Sequence, residues 1–400
     1  MESHVTPTDQ AHLRRALELA EHGRGRVSPN PLVGAVIVRD GQVIGEGFHA
    51  ELGELHAERA ALADCRDRGE DPAGATMYVT LEPCAHQGRQ PPCVEAILEA
   101  GICRVIIASD DPSEKAAGRG PGILRDGGVE VAFATGAEAT AARRLNQPFR
   151  KHARTGLPLV VLKMAMSLDG ETATAPGDSP WISGPESREL VHRWRAESDA
   201  IAVGIGTALI DDPLLTARAD ADGTKRGLYR SKSSRQPLRV VFDSRARLPL
   251  GSQLLQTLDQ ASVLVVAGPD APSDRISALR EVGADVLQAN GLEPALRELG
   301  ARNITSLFLE GGKTLATSFL SSDLIDESRT LIAPMLLGRQ PEPPRRAGGT
   351  VGGTMSEEAL ATGGHGGSPA VTGPARLSAQ ESSASPIGDD LLITARYKEW

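Results

Sequence analysis

The first 150 residues alternate between amphipathic helical patterns and short runs of apolar residues. Apolar residues at helical spacing predict helices, and apolar runs that are bounded by turn residues predict strands. Asp40-Gly41 separates two of these runs and is typical of a tight hairpin turn. The predicted helices cover 9–22, 56–69 and a segment that begins at Cys93, and the predicted strands cover 33–38, 42–45, 76–81 and 103–109. This alternation predicts an α/β layer fold.

The same alternation continues after a polar segment at 150–156, which we interpret as a linker. The predicted strands cover 159–164, 200–203, 239–242, 263–266, 306–309 and 391–395, and the most regular predicted helix covers 185–197. Glu310-Gly311-Gly312-Lys313 joins a strand to a helix, and a helix N-terminus after a glycine turn favours phosphate binding. Gly, Pro, Ser, Thr and Ala dominate 339–390, which predicts a flexible insertion.

Size, charge and cysteine content narrow the possible classes of protein. A chain of 400 residues with 40% apolar content favours two domains, which we assign to 1–150 and 151–400. The formal charge of −9 disfavours broad binding to nucleic acids or anionic membranes. We expect a cytoplasmic protein, because the four cysteines are too few for a disulfide framework and neither a membrane span nor a signal peptide is apparent.

One cluster of residue types indicates metal chemistry. His56-Ala57-Glu58 is followed by Pro83-Cys84 and, after eight residues, by Cys93. Zinc accepts nitrogen and sulfur ligands in a tetrahedron, and three protein ligands leave one corner for water. The order of these residue types resembles the His-x-Glu…Pro-Cys…Cys pattern of the zinc-dependent nucleobase deaminases, in which a nearby glutamate transfers protons without binding the metal. We therefore predict zinc at His56, Cys84 and Cys93, with Glu58 as the catalytic residue.

A structural zinc site or a pair of buried thiols is the alternative interpretation of the same residues. A structural site normally has a fourth protein ligand. Cys65, Cys103 and His86 are the candidates for this position. Cys65 and Cys103 fall within apolar patterns that are typical of core residues. His86 is expected to line a loop.

Several separated motifs resemble one family over almost the whole chain. The family is that of the bifunctional riboflavin-biosynthesis proteins, which join a diaminohydroxyphosphoribosylaminopyrimidine deaminase to a 5-amino-6-(5-phosphoribosylamino)uracil reductase. The motifs that carry the resemblance are Pro29 to Gly34, His56-Ala57-Glu58, Thr80 to His86, Pro91-Pro92-Cys93, Ala117 to Gly120, Ser167 to Gly170, Trp181-Ile182, Asp211 to Thr216, Glu310-Gly311-Gly312 and Ala333 to Gly338. Their number and their order make the resemblance specific.

For the first half, the resemblance implies a cytidine-deaminase-like three-layer domain and a hydrolytic deamination. Water that zinc has activated would attack the ring carbon that bears the amine, and ammonia would leave. Asn30 and His49 would contact the pyrimidine, and Arg89 would lie near the ribose phosphate. The substrate would thus be a small phosphorylated pyrimidine.

For the second half, the resemblance implies a dihydrofolate-reductase-like α/β domain that takes hydride from NADPH. The reaction would convert a ribosylamino sugar into a ribitylamino chain. The residues that would contact the dinucleotide are Ala165, Trp181, Thr207, Asp211, Gly312, Lys313 and Thr314. The residues that would contact the sugar phosphate or the pyrimidine are Ser179, Arg195, Leu215, Arg218 and Glu310. Lys163 joins this substrate group because of its position at a strand end.

Some features of the chain depart from the family pattern and leave alternatives open. Leu55, Gln90 and Glu114 stand where proline, threonine and a small residue or proline are usual, and Asp326 to Thr330 is more polar than the usual strand. A cytidine or tRNA-adenosine deaminase with an appended domain is one alternative. An active deaminase with an impaired reductase half, or one that is only a nucleotide-binding scaffold, is another. Pairing of chains through the reductase domain also stays open.

Overall fold

The computed structural model describes residues 5–88, 90–114, 116, 118–172, 182–218, 235–338 and 376–400. Two β-sheets form within these ranges, one of five strands and one of nine. Each sheet belongs mainly to one half of the chain, as the alternation of strands and helices predicts. Among the described helices, none combines the length and the apolar character that a membrane span requires.

The first sheet has the strand order β2-β1-β3-β4-β5. Its strands are β1 (Gly34–Arg39), β2 (Gln42–Phe48), β3 (Thr76–Val79), β4 (Arg104–Ile107) and β5 (Glu130–Phe133). Asp40 and Gly41 join β1 to β2 with φ angles of 52° and 78°, so the predicted hairpin is confirmed. β3, β4 and β5 run parallel to one another, while β1 is antiparallel to β3.

Helices cover both faces of this sheet, which confirms the predicted three-layer arrangement. The helices of the first half are α1 (Pro7–Glu21), α2 (Ala57–Asp67), α3 (Cys93–Glu99), α4 (Arg119–Asp126), α5 (Ala137–Leu145) and α6 (Gln147–Thr155). Apolar side chains of α2, α3 and α4 pack on one face. Those of α1 and α5 pack on the other. The sheet is therefore buried on both sides, and only its ends are open to ligands.

The second sheet has the strand order β10-β9-β8-β7-β11-β6-β12-β14-β13. Its strands are β6 (Leu159–Ser167), β7 (Ala200–Gly204), β8 (Leu238–Phe242), β9 (Val263–Ala267), β10 (Asp285–Gln288), β11 (Ser306–Leu309), β12 (Glu327–Ala333), β13 (Glu381–Ile387) and β14 (Asp390–Arg396). The strands from β10 to β12 are parallel, and β14 and β13 extend the sheet in antiparallel order. The helices of this half are α7 (Pro185–Glu197), α8 (Ile205–Asp211), α9 (Gln253–Gln256), α10 (Ser273–Glu281), α11 (Leu292–Ala301) and α12 (Lys313–Ser321).

The prediction of a linker at 150–156 is wrong, because 150–155 is the second part of α6. Arg150 and Lys151 made it look like a polar connection, yet their side chains are buried. Lys151 Nζ lies 2.5 Å from Asp326 Oδ2, and Arg150 Nε donates to the carbonyl of Trp400 at 2.7 Å. Both side chains are buried because they bond to Asp326 and Trp400, which are remote in the sequence, whereas the polar pattern predicted exposure to solvent.

Part of the expected flexible insertion at 339–390 is also regular structure. Residues 381–387 form β13, which pairs with β14 along seven residues. β13 is almost entirely exposed, so backbone hydrogen bonds rather than side-chain burial hold this strand. The predicted closing strand at 391–395 lies within β14 and is confirmed. Residues 339–375 of the expected insertion lie outside the described residues.

Candidate functional site

The three predicted metal ligands converge from three separate elements of the first half. His56 is the N-cap of α2, Cys93 is the first residue of α3, and Cys84 lies in the loop after β3. His56 Nδ1 lies 3.6 Å from Cys84 Sγ and 3.3 Å from Cys93 Sγ. Tetrahedral zinc, with bonds of about 2.0 Å to nitrogen and about 2.3 Å to sulfur, would place such ligands about 3.5 Å apart. The geometry and the chemistry of the donor set therefore fit zinc.

A fourth protein ligand is absent from the part of the chain that the structure describes. His56, Cys84 and Cys93 form the group there with metal-binding spacing. Cys65 donates instead to the carbonyl of Glu70, and the exposed Cys103 donates to that of Gly74. This arrangement is typical of a catalytic site, which keeps one position for water, and not of a closed structural site.

Glu58 lies in the first turn of α2, two residues after His56, and its side chain is buried. Burial raises the pKa of Glu58 to about 7, and the negative charge of Cys84 acts in the same direction. The Cys93 thiol donates to Cys84, which lowers the pKa of Cys84 to about 4, and the His56 ring adds to this effect. The backbone N–H of Cys93 also donates to Cys84 Sγ at 3.3 Å. The site therefore favours thiolate at Cys84 and places a carboxyl group beside it.

A cleft of about 830 Å³ opens over the ligand group, and Asn30 and His49 both line it. His49 is buried, and its Nδ1 lies 3.0 Å from the carbonyl of Leu55. Because a carbonyl only accepts, Nδ1 carries the proton and Nε2 accepts from the Asn30 amide at 3.1 Å. Burial lowers the pKa of His49, so the ring is neutral. The two residues form a chain that fixes the orientation of the Asn30 amide.

Gln90, one of the residues that depart from the family pattern, lines the cleft, and Leu55 contacts another of its lining residues. Leu55 is exposed but supplies the carbonyl to His49, and Gln90 Nε2 donates to the carbonyl of Gly53 at 3.3 Å. Glu114 is exposed. Arg89 lies outside the described residues, so its place near a phosphate stays a prediction.

Several further residues line this cleft that are not among the predicted site residues. Asp111 follows β4, and burial raises the pKa of its carboxyl group. Its position just beyond the carboxyl end of a parallel strand was the signal that could have identified it. Arg235, Arg302 and Asn303 reach the same cleft from the second half. No local pattern could have identified these three, because only the packing of the two halves brings them there.

In the second half, three of the predicted substrate residues lie together. The register pairs Leu162 of β6 with Leu309 of β11, so Lys163 and Glu310 follow side by side. Arg195 of α7 meets Glu310 in a bidentate pair with distances of 2.6 and 3.0 Å. Burial lowers the pKa of Lys163, although the charge of Glu310 opposes this effect. Burial also acts to raise the pKa of Glu310, but the charge and the hydrogen bonds of Arg195, together with the charge of Lys163, outweigh burial and hold that pKa low.

The other predicted residues of the second half fall into two groups. Leu215 is buried with a left-handed φ of 51°, and the exposed Arg218 follows it on the same loop. A Cβ at Gly312, the N-cap of α12, would lie 3.4 Å from Thr207 Oγ1, so these two predicted dinucleotide residues are neighbours. The remaining described residues of the expected dinucleotide site are Ala165 on β6, Asp211 at the end of α8, and Lys313 and Thr314 in the first turn of α12. Ser179 and Trp181 lie outside the described residues.

Fold and ligand group together define the first half as a domain of the zinc-binding deaminase class. Residues 6–109 match the family described as cytidine and deoxycytidylate deaminase zinc-binding region. Residues 158–356 match the family described as RibD C-terminal domain. The chain is therefore an enzyme that joins a deaminase domain to a reductase domain.

The similarity to known proteins extends over most of the chain. Riboflavin biosynthesis protein RibD of Actinobacillus pleuropneumoniae is 41% identical over 342 residues, which are 84% of this chain and 86% of that protein. The structure of Acinetobacter baumannii RibD has 35% identity and a TM-score of 0.78, covering 98% of this chain and 99% of that one. A diaminohydroxyphosphoribosylaminopyrimidine deaminase/5-amino-6-(5-phosphoribosylamino)uracil reductase from Thermotoga maritima has 32% identity and a TM-score of 0.76, with the same coverage. The chain belongs to the RibD family of bifunctional riboflavin biosynthesis proteins.

Proposed function

We propose that the chain catalyses two consecutive steps of riboflavin biosynthesis. The first is hydrolytic deamination of 2,5-diamino-6-(5-phosphoribosylamino)pyrimidin-4(3H)-one. The second is reduction of the ribosyl group of 5-amino-6-(5-phosphoribosylamino)uracil to a ribityl group with NADPH. The observation that carries the first step is the group of His56, Cys84 and Cys93 at tetrahedral spacing, with the buried Glu58 beside it. The activities in the name of the Thermotoga maritima relative support the choice of substrates.

In the first step, His56, Cys84 and Cys93 would hold zinc, and Glu58 is the catalytic residue. Zinc, when bound, lowers the pKa of a water molecule towards neutrality. Glu58 takes a proton from the attacking water and delivers it to the departing amine. Its burial excludes bulk water as a competing proton donor.

Asn30 and His49 orient the pyrimidine in this step. The His49 ring accepts a hydrogen bond from one N–H of the Asn30 amide, so the amide oxygen and the second N–H remain for the substrate. Both of these groups suit the edge of an aminopyrimidinone, which alternates hydrogen-bond donors and acceptors. Arg89 holds the ribose phosphate in the same proposal, because a guanidinium matches phosphate oxygens.

In the second step, the chain binds the sugar phosphate and the dinucleotide side by side. NADPH, when bound, supplies a hydride. Its contacts are assigned to Ala165, Trp181, Thr207, Asp211 and the turn at Gly312, Lys313 and Thr314. The first turn of α12 has no side-chain cap, so its N–H groups can donate to a phosphate.

The substrate of the second step contacts the charged cluster around Glu310. The substrate residues in the proposal are Lys163, Ser179, Arg195, Leu215, Arg218 and Glu310. Arg195 uses Nε and Nη2 on Glu310 and Nη1 on the carbonyl of Thr216. Because each terminal nitrogen carries two protons, one N–H on each remains for phosphate oxygens. Arg195 can therefore keep its internal partners and bind substrate.

We propose the same division of the chain that the sequence analysis gave, with the deaminase domain at 1–150 and the reductase domain at 151–400. Helix α6 crosses this boundary and supports a fixed relation between the two domains. A cytoplasmic location is part of the proposal and is supported by the four cysteines, Cys65, Cys84, Cys93 and Cys103, none of which forms a disulfide. Pairing of two chains through the reductase domain completes the proposal.

The proposed function is tested by one assay that follows ammonia release and loss of NADPH absorbance together. The purified chain is loaded with zinc and given the diaminopyrimidine phosphate. We expect Glu58→Gln to keep one zinc per chain, while its rate of ammonia release falls by at least about a hundredfold. The variant should still reduce the deaminated substrate. Glu70→Gln is the matched control, because Glu70 pairs with Arg39 in a loop outside the cleft. Unimpaired ammonia release by the Glu58 variant would remove Glu58 from the mechanism.

A further inference from the structure

His192 lies on α7 one turn before Arg195, so the two side chains share one face of the helix. Its Nδ1 is buried and has no hydrogen-bond partner among the described residues. Buried polar atoms without a partner are rare in folded proteins, because leaving one unpaired costs about 1–3 kcal/mol. When such an atom lies in a candidate substrate site, a ligand group is the natural partner.

The surroundings of His192 determine its protonation state. Burial lowers the pKa of His192, and the positive charges of Arg195 and Arg218 lower it further. The negative charge of Glu310 and the carbonyl of Thr216 act in the opposite direction but do not outweigh them. The ring is therefore neutral and carries one proton.

The position of that proton follows from the carbonyl of Thr216. A carbonyl only accepts, so the ring nitrogen that faces it carries the proton. Nδ1 has no partner in the described part of the chain, so the protonated nitrogen is Nε2 and Nδ1 is an acceptor. An acceptor cannot bind the oxygens of a phosphate dianion, which also only accept. The missing partner must be a donor, and a pentose carries hydroxyl donors next to its phosphate.

We propose that Nδ1 of His192 accepts a hydrogen bond from a pentose hydroxyl of the reductase substrate. This contact rests on the proposed function. It adds His192 as a residue that recognises the pentose, beside Arg195 and Arg218, which would bind the phosphate. His192 is thus a specificity-determining residue for a hydroxylated pentose. The nicotinamide dinucleotide would bind independently of it, on the side of Gly312.

Three variants of His192 test the contact. An Asn amide oxygen can occupy the place of Nδ1, whereas a Gln amide reaches the place of Nε2, and Ala removes both. We expect His192→Ala and His192→Gln to raise the KM for the ribosylaminouracil phosphate about tenfold, which corresponds to about 1.4 kcal/mol. His192→Asn should restore most of the affinity. Ammonia release and the Kd for NADPH should stay unchanged in all three, because these sites do not contain His192.

A substrate that lacks pentose hydroxyls provides the second arm. If the contact exists, removal of the relevant hydroxyl raises the KM of the wild-type enzyme about tenfold and that of His192→Ala much less. If His192→Gln retains the wild-type KM while His192→Asn resembles His192→Ala, the ring only supports the Thr216 loop and the proposal is overturned. An unchanged KM in His192→Ala overturns it as well. A wild-type chain that does not reduce the substrate overturns the proposed function itself, and this contact with it.

Discussion

The guanidinium of Arg195 meets the carboxylate of Glu310 through two parallel hydrogen bonds, of 2.6 Å from Nε and 3.0 Å from Nη2. Both side chains are largely buried, with 15% and 11% exposure. The pair joins α7 to the end of β11 and places one negative charge between two positive groups, since Lys163 lies on the adjacent strand. The second half therefore holds an organised cluster of buried charges at the carboxyl end of β11.

Loss of the Glu310 charge is expected to impair the reductase step selectively. Glu310→Gln keeps the size of the side chain but leaves Arg195 and Lys163 without their compensating charge, so the guanidinium loses its fixed orientation. We expect kcat/KM for NADPH oxidation to fall by at least about a hundredfold, while ammonia release is unchanged. Glu293→Gln is the control, because Glu293 forms only an exposed pair with Arg297. Equal reductase activity in both variants would contradict the assigned role of Glu310.

If Cys93 is a zinc ligand and Cys103 is not, substitution of Cys93 should lower the zinc content and substitution of Cys103 should not. Cys93→Ser removes a thiolate from the ligand group, so we expect zinc content, measured by atomic spectroscopy, to fall well below one per chain. Ammonia release should fall with it. Cys103→Ser, at an exposed thiol that only contacts the carbonyl of Gly74, should keep both. Full zinc content in the Cys93 variant would show that the metal is held elsewhere.

The boundary between the two halves contains a buried ion pair whose loss should destabilise the whole chain. Lys151 and Asp326 are 3% and 0% exposed and lie 2.5 Å apart. Removal of one partner leaves an uncompensated buried charge, so Lys151→Met should lower the free energy of unfolding by about 3–5 kcal/mol. The control Lys398→Met breaks a more exposed pair with Asp323 and should cost less than about 1 kcal/mol. Denaturant unfolding of both variants measures the difference.

The contribution of Asp9 to the stability of the fold should depend on pH. It accepts from the backbone N–H of Thr6 at 2.8 Å in a capping box and from the hydroxyl of Tyr78 at 2.7 Å. Burial acts to raise the pKa of Asp9, but these hydrogen bonds together with the charge of Arg104 hold it below its ordinary value. A carboxylate with a lowered pKa stabilises the fold above its unfolded pKa of about 3.9, and this stabilisation is lost as the pH falls through the folded value.

Asp9→Asn should therefore destabilise the chain by about 1–3 kcal/mol at pH 7. The difference from the wild type should stay constant down to about pH 5 and shrink below about pH 4, where the wild-type carboxylate takes up its proton. Asp270→Asn, in an exposed turn, should change the unfolding free energy by less than about 0.5 kcal/mol at either pH. A difference for Asp9→Asn that does not vary with pH would show that its charge has no part in the effect.

Local patterns predicted much of the secondary structure because its causes are local. The Asp40-Gly41 hairpin needs two residues that tolerate a positive φ, and the sequence shows both. The helix at 185–197 has the predicted bounds, since Pro185 suits its first turn and its apolar residues share one face. By contrast, α6 was missed because Arg150 and Lys151 are buried against partners far away in the chain.

Some features of the candidate site were predictable from local sequence patterns, and others depend on tertiary packing. By itself, the sequence determined the metal-ligand set of His56, Cys84 and Cys93, because ligand chemistry depends on residue type and those types stood at a specific spacing. Only the tertiary structure decided that second-half residues such as Arg235 line the first cleft. It also decided that, within the described ranges, no fourth ligand stands near the metal group and Nδ1 of His192 has no partner. These properties depend on distances between segments that are remote in the chain, and packing alone sets those distances.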